Sequence, residues 1–151
     1  MKVVIQVVDH ASVSVLSKKI NEIKKGYLIL IGIDKEDNET IVQKMAKKIY
    51  ELRINKDEND KTNLSIQDVD GEILSISQFT LCANLESRRP SFSHAADAIT
   101  AKNLYELFNK ELKSYGINVK EGVFGAEMEI CLTNHGPFTI VLTEKDIEKR
   151  K

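Results

Sequence analysis

Two short apolar segments constrain the fold of this chain more than any other feature of its sequence. Residues 2–8 and 27–33 are rich in Val, Ile and Leu. Runs of this length are typical of strands that are buried on both faces, and they are short for helices. Residues 11–16 instead alternate valine with serine, which predicts a half-buried strand, and residues 20–23 can pair beside it. The N-terminal region is therefore predicted to be a small meander of strands.

Two later segments have the four-residue spacing of amphipathic helices. Asp37 or Asn38 can cap the first, which runs to about residue 50 with its apolar side chains on one stripe. The second begins near Asp97 or Thr100 and ends at Gly116. Glycine suits the left-handed position that commonly follows a helix. Both segments are therefore predicted helices.

The order of strands, helix, strands, helix and strands predicts an α+β fold. Further strands are expected at residues 73–76, 117–120, 128–132 and 138–142. Residues 55–63 and 87–94 are polar or broken by proline and are predicted loops. We expect largely antiparallel sheets with two main flanking helices. The chain has 151 residues with no evident linker or repeat, which predicts a single domain over residues 1–151.

Composition and charge exclude several classes of protein. The apolar fraction of 42% and the charged fraction of 30% are those of a globular domain. A net charge of −1 gives no overall field for a nucleic-acid backbone, so no DNA partner is expected and any RNA contact must be local. Cys82 and Cys131 form no zinc motif and the histidines lack ligand spacing, so we expect no metal and no cofactor. No leader or membrane span is evident, and a reducing cytoplasm is the expected location.

The segment Ser77-Gln78-Phe79-Thr80-Leu81 is the first candidate for chemistry. It ends an apolar strand, where an extended chain would place Ser77 and Phe79 on one face and Gln78 and Thr80 on the other. Hydroxyls, an amide and freed backbone N–H groups at such a strand end can hold a carbonyl oxygen as it becomes negatively charged. A polar strand end beside an aromatic core residue is the commoner interpretation of this segment taken alone.

Three other segments carry possible binding groups. Gly136 and Pro137 stand between two predicted strands, where a hairpin turn is the ordinary interpretation. Arg88 and Arg89 can clamp phosphate and a neighbouring aromatic can stack a base, although a solvated loop is commoner. Small residues beside a thioether in segment 124–128 can admit a flat ligand, or can simply begin a strand.

Taken together and in order, these segments resemble the D-aminoacyl-tRNA deacylase family. The resemblance extends along essentially the whole chain and includes the opening Val4-Ile5-Gln6 and the segment 63–65. The motifs that carry it are Ser77-Gln78-Phe79-Thr80-Leu81, Arg88-Arg89-Pro90-Ser91-Phe92, Phe124-Gly125-Ala126-x-Met128 and Asn134-x-Gly136-Pro137-x-Thr139. One tetrapeptide would be a weak signal, whereas this ordered set at these spacings is specific.

The resemblance implies a homodimeric enzyme with barrel-like β sheets that hydrolyses the ester of D-aminoacyl-tRNA and releases the D-amino acid and tRNA. It implies catalytic roles for Ser77, Gln78, Phe79 and Thr80. It also implies a cis bond between Gly136 and Pro137, which each subunit would insert into its partner's pocket to exclude L side chains. Such a filter has little to act on in glycine, so glycyl-tRNA is expected to be hydrolysed as well. The substrate or RNA contacts implied are Arg88, Arg89, Phe124, Gly125, Met128, Asn134 and Thr139.

The sequence departs from the family pattern at three places. His135 stands where the family usually has Asp, and Phe138 stands where Val is typical. Residues 85–87 replace a more basic stretch before the arginine pair. The first two departures adjoin the expected filter and can alter its fit, and the third lowers the local positive charge available to tRNA.

Two mechanisms are open from the sequence. Thr80 could act as a nucleophile, but a threonine hydroxyl needs a base and none is near it in sequence. The resemblance favours a mechanism in which the free 2′-hydroxyl of the terminal ribose assists water or attacks the ester. The protein would then supply the geometry and the backbone N–H donors of Gln78 and Phe79. Other classes of function remain possible: an RNA-binding module built on Arg88 and Arg89, a hydrolase of small free esters, and a purely structural dimer.

Overall fold

The sheet is organised around strand β1, Lys2–Val15, which has partners on both of its edges. The computed structural model describes residues 1–148. One edge of β1 pairs antiparallel with β8, Glu129–Thr143, along nearly its whole length. The other edge pairs antiparallel with β3, Gly26–Gly32, and then with β2, Lys18–Ile23. The predicted N-terminal strands are therefore present, and the two segments of β1 form one continuous strand.

Two parallel pairings extend the sheet beyond β3. Strand β6, Glu72–Ser77, pairs with β3, and β7, Asn118–Glu121, pairs with β6. Helix α1, Glu39–Glu51, lies in the connection from β3 to β6, and helix α2, Ala98–Ser114, lies in the connection from β6 to β7. The helices also contact each other. The predicted α+β class with two flanking helices is confirmed, and the sheet is mixed.

The sheet curls until β2 approaches β7. Asn21 Nδ2 on β2 donates to the carbonyl of Glu121 at 2.7 Å, and Lys120 Nζ on β7 donates to the carbonyl of Glu22 at 2.9 Å. These are side-chain bonds, so they close the curl without a backbone ladder. The expected barrel-like form is confirmed as a nearly closed mixed sheet.

The curl separates two apolar cores. The larger lies between the sheet and the helices and includes Phe108 and Leu112 of α2. The smaller lies inside the curl and includes Leu74 and Ile76 of β6. Ile73 of β6 belongs to the larger core. Strand β6 therefore has buried side chains on both faces, as is typical of an apolar central strand.

Caps begin both helices where the sequence indicates. The side chain of Asn38, rather than that of Asp37, accepts from the Ile41 N–H at 3.0 Å and begins α1. Asp97 accepts from the Thr100 N–H at 3.0 Å and begins α2. Within residues 1–148, neither helix is long and apolar enough to cross a lipid bilayer.

Two segments differ from their predicted form. Residues 55–63, predicted to be a loop, contain most of a small hairpin of β4, Asn55–Lys56, and β5, Thr62–Leu64. Residues 134–139 are not a hairpin turn, because both flanks belong to β8 and pair with the same edge of β1. Glycine and proline interrupt a ladder in either case, so composition alone cannot distinguish a turn from a bulge.

Gly26 allows β3 and β6 to approach closely. A Cβ there would lie 1.8 Å from the backbone oxygen of Glu72. We expect Gly26→Ala to lower the free energy of unfolding by about 3 kcal/mol, because two backbones would have to separate. Gly116→Ala is the matched control, because its Cβ would meet nothing within 4 Å. Only the strain of an alanine at a φ of +85° remains there, so we expect the free energy of unfolding to fall by about 1 kcal/mol. Urea unfolding measures both, and equal losses would contradict the expected close approach.

Candidate active site

The carboxyl end of β6 opens into a cavity of about 400 Å³. Ser77, Gln78 and Phe79 form one side of this substrate cavity, and Phe124, Gly125, Ala126 and Met128 form another. Segments that are more than forty residues apart in the sequence are therefore brought together. Two of the four candidate segments belong to one site.

The backbone turns immediately after Gln78. Residues Phe79–Cys82 form a short 3-10 helix, so the side chains do not alternate in direction beyond Gln78 as an extended chain would require. Gln78 and Thr80 nevertheless remain in contact, since Gln78 Nε2 donates to Thr80 Oγ1 at 2.6 Å. Thr80 itself is exposed and is not among the residues that line the cavity.

The turn also determines which backbone donors are free. The Gln78 N–H donates to the Ile31 carbonyl at 2.7 Å, so the expectation that it would face a substrate oxygen is wrong. The Phe79 and Thr80 N–H groups begin the 3-10 helix and have no acceptor among residues 1–148. Unpaired N–H groups at the start of a helical turn are suited to an oxyanion.

A buried hydrogen-bond network fixes the position of β6. Ser75 Oγ donates to Asn109 Oδ1 at 2.6 Å, and Asn109 Nδ2 donates to Glu121 Oε1 at 2.6 Å. The hydroxyl of Tyr105 donates to the Ser75 carbonyl at 2.7 Å. Burial raises the pKa of Tyr105, so its phenol stays protonated as a donor at neutral pH. The strand that carries Ser77 is thereby fixed against α2 and β7.

The far wall of the cavity is open at Gly125. The φ of Gly125 is +76°, and a Cβ there would meet nothing within 4 Å. The ring of Phe124 packs against Tyr105 with centroids 5.9 Å apart. The space beside the Gly125 backbone is therefore open, and the approach of a flat ligand to this segment stays a prediction.

Alanines at the start of α2 complete the wall, and sequence reasoning missed them. The residues concerned are Ala95, Ala96, Ala98 and Ala101. The sequence has several alanines around the predicted start of this helix, and these could have indicated a cavity wall. Alanines are equally typical of an ordinary helix, so they did not point to a site. The small side chains leave the space that the cavity occupies.

The cavity wall contains no ionisable side chain. Its remaining lining residues are Ile33, Ile76 and Ile130. Elsewhere in residues 1–148, no group of three or more His, Cys, Asp or Glu side chains is arranged to hold a metal ion. Apolar side chains, the Ser77 hydroxyl, the Gln78 amide and backbone groups are therefore what this wall offers to a ligand.

The arginine pair lies outside the cavity but is connected to its rim. Arg88 and Arg89 are exposed in a loop closed by two backbone hydrogen bonds between Asn84 and Ser91, at 2.7 and 3.0 Å. The next residue, Phe92, packs edge-on against Phe79 with ring centroids 5.0 Å apart. The loop is therefore held beside the cavity mouth, and its two guanidinium groups remain open to solvent.

Gly136 and Pro137 lie away from the substrate cavity of their own chain. The bond between them is cis, as the resemblance implied. Gly136 lines a separate hollow of about 180 Å³ that shares no lining residue with the substrate cavity. Asn134 and Thr139 flank this segment on β8, opposite Val8 and Gln6, and are exposed. Within one chain, the predicted filter residues and the predicted catalytic residues are not brought together.

A family model described as "D-Tyr-tRNA(Tyr) deacylase" matches residues 4–143. The chain belongs to this family. A D-aminoacyl-tRNA deacylase of Lactobacillus acidophilus is 52% identical over 143 residues, covering 94% of this chain and 99% of that protein. One of Lactobacillus helveticus is 51% identical over the same shares. The resemblance read from the sequence to this deacylase family is therefore confirmed.

The fold of this chain is also found among solved structures. One described as "c-Myc DNA Unwinding Element Binding Protein" is 37% identical, with a TM-score of 0.89. The match covers 95% of this chain and 98% of that one. Its similarity supports the curled sheet and the two helices described above.

Proposed function

We propose that this chain hydrolyses the ester that joins a D-amino acid to the terminal ribose of tRNA. Water would supply the attacking oxygen, the bond from the carbonyl carbon to the ribose oxygen would break, and a carboxylate and a ribose hydroxyl would be released. The observation that carries the proposal is the substrate cavity itself, which unites two family motifs around a wall with no ionisable group.

The free N–H group of Phe79, which lines the cavity, is suited to the ester's carbonyl oxygen, and the free N–H group of Thr80 is adjacent to it in the chain. As the carbonyl carbon becomes tetrahedral, negative charge develops on that oxygen, and preorganised donors in a site with little water stabilise it. Ser77 and the Gln78 amide lie beside these donors and would position the ester. The hydrogen bond from Gln78 to Thr80 holds both side chains in place.

The wall supplies no general base, so the substrate is proposed to supply the missing group. The 2′-hydroxyl of the terminal ribose is adjacent to the ester and can orient the attacking water and help to remove its proton. Thr80 is less suited to act as a nucleophile, because its hydroxyl accepts from Gln78 and no base is among its hydrogen-bond partners within residues 1–148.

Selection for D substrates is proposed to come from Gly136 and Pro137 of a second copy. These residues are exposed and lie away from the cavity of their own chain, so a role in substrate selection would require the cavity of another copy. Strand β8, which carries them, pairs with β1 alone among residues 1–148, and its Val141 is 62% exposed. A strand that is paired on one edge only and has an exposed apolar side chain favours a homodimer built along β8.

The tRNA itself would contact the rim of the cavity. The Arg88 and Arg89 guanidinium groups point to solvent from a loop held there by Phe92. Guanidinium groups bind phosphate in a bidentate manner, and the partly exposed Phe79 and Phe92 rings can stack a base. With tRNA as substrate, the cytoplasm remains the proposed location, and no cofactor is part of the proposal.

A deacylation assay tests the proposed activity. We expect rapid release of D-tyrosine from D-tyrosyl-tRNA, protection of L-tyrosyl-tRNA, and little hydrolysis of D-tyrosine ethyl ester. Binding of tRNA that leaves the ester intact would indicate an RNA-binding module instead. Equal hydrolysis of the ethyl ester would indicate a small-ester hydrolase. Light scattering of the same sample measures its mass, and a monomer would contradict the proposed dimer.

A further inference from the structure

Strands β1 and β8 both depart from regular pairing where Gly136 and Pro137 lie. On the β8 side, Gln6 pairs with Thr139 and Val8 pairs with Asn134. One residue of β1 is thus opposite the four residues 135–138 of β8. On the β1 side, Val8 and His10 pair with the consecutive residues Asn134 and Thr133, so Asp9 is the extra residue. Residues 135–138 have no pairing partner on β1.

A single side chain in this segment can form a hydrogen bond. The segment is His135-Gly136-Pro137-Phe138, and only the imidazole has a polar group. His135 Nδ1 lies 3.2 Å from Oδ1 and 3.3 Å from Oδ2 of Asp9. Asp9, the extra residue of β1, is therefore in contact with His135, the first residue of segment 135–138 on β8. The contact joins the irregular parts of the two strands.

The other charged side chains that line the hollow beside this contact are lysines. Lys25 and Lys56 line the same hollow as Asp9, and Asp9 is the one carboxylate that lines it. Lys56 Nζ is itself 3.0 Å from Asp60 Oδ1. Asp9 is therefore the one acidic partner that the residues lining this hollow offer to His135. Loss of Asp9 should therefore release the segment as fully as loss of His135.

We propose that the His135–Asp9 pair is a positioning element that holds Gly136 and Pro137 in the orientation needed to exclude L side chains. This inference rests on the proposed function of those two residues as a filter. The pair touches no substrate; it acts through the direction of the bulge. Because the side chains are 63% and 52% exposed, the pair is worth a modest factor, roughly two- to fivefold in the ratio of D to L hydrolysis.

The test measures the ratio of D-tyrosyl- to L-tyrosyl-tRNA hydrolysis for His135→Ala, Asp9→Ala and the double variant. We expect each to lower the ratio by a similar factor and the double variant to lower it no further, as one unit requires. Exchange of the partners, Asp9→His with His135→Asp, should restore the ratio. A loss of folding would lower both rates together and would not produce this pattern.

The matched control is His10→Ala. His10 Nε2 lies 3.2 Å from Glu22 Oε2, also between β1 and a neighbouring strand and with similar exposure, but its contact is with β2 and not with segment 135–138 of β8. Its ratio should be unchanged. An equal fall in His10→Ala would overturn the inference, as would unchanged ratios in the His135 and Asp9 variants while Pro137→Gly lowers the ratio. If Pro137→Gly also has no effect, the proposed filter itself fails.

Discussion

Deacylation of D-tyrosyl-tRNA whose terminal adenosine lacks the 2′-hydroxyl is expected to be slower by about 10³-fold or more. A reacting group held beside its target acts at effective molarities on the order of 10⁵ M or above, so its removal is costly. The cavity wall cannot compensate, because none of its residues is ionisable. Single-turnover hydrolysis of the 2′-deoxy and natural substrates at equal occupancy gives this factor directly.

The same assay with Thr80→Ala separates the two mechanisms. We expect a loss of less than about tenfold, since the variant removes one hydrogen bond to Gln78 and leaves the backbone N–H groups in place. Thr80→Ser, which keeps the hydroxyl, is the control. Complete loss in Thr80→Ala with a native unfolding curve, together with an active 2′-deoxy substrate, would instead identify Thr80 as the nucleophile.

Glycyl-tRNA is expected to be hydrolysed on the order of 10³-fold faster than L-tyrosyl-tRNA, a difference of about 4 kcal/mol in the barrier. A wall that excludes by contact acts only on a side chain that reaches it, and glycine has none. The comparison uses L-tyrosyl-, D-tyrosyl- and glycyl-tRNA at one enzyme concentration. Protection of glycine equal to that of L-tyrosine would refute exclusion by contact.

Mixed dimers show which subunit supplies that wall. Pro137→Gly removes the ring from one chain, and Ala98→Trp fills the cavity of the other, at an exposed position of its wall. In the mixed dimer, the open cavity belongs to the Pro137→Gly chain and faces the intact Gly136-Pro137 of its partner. Rejection of L-tyrosyl-tRNA should return on mixing. Continued hydrolysis would place the filter within one chain.

The sequence predicted the local elements of this fold well. The caps at Asn38 and Asp97, the end of α2 near Gly116 and the strand that leads to Ser77 depend on short-range chemistry that a linear pattern contains. The parallel pairings of β3, β6 and β7 could not be read in this way. They depend on how two helical connections return the chain to the sheet.

The candidate site was predicted in part for the same reason. Motifs containing Gln78 and Gly125 could be named from the sequence, and the structure places them around one cavity. That the Gln78 N–H is occupied depends on Ile31 in another strand. The contact of His135 with Asp9 spans 126 positions, and neither residue has a motif that would indicate the other.

The place of Gly136 and Pro137 within β8 affects how precisely they could distinguish substrates of different size. To distinguish a hydrogen atom from a methyl group on a substrate, the residues that contact it must fluctuate in position by less than the difference between the two radii. Gly136 and Pro137 project from strands of 14 and 15 residues that are paired on both sides of the bulge. Elements mounted on paired strands hold their place better than surface loops do. In the proposed filter, the precision of the contact would depend on the paired strands together with the His135–Asp9 contact.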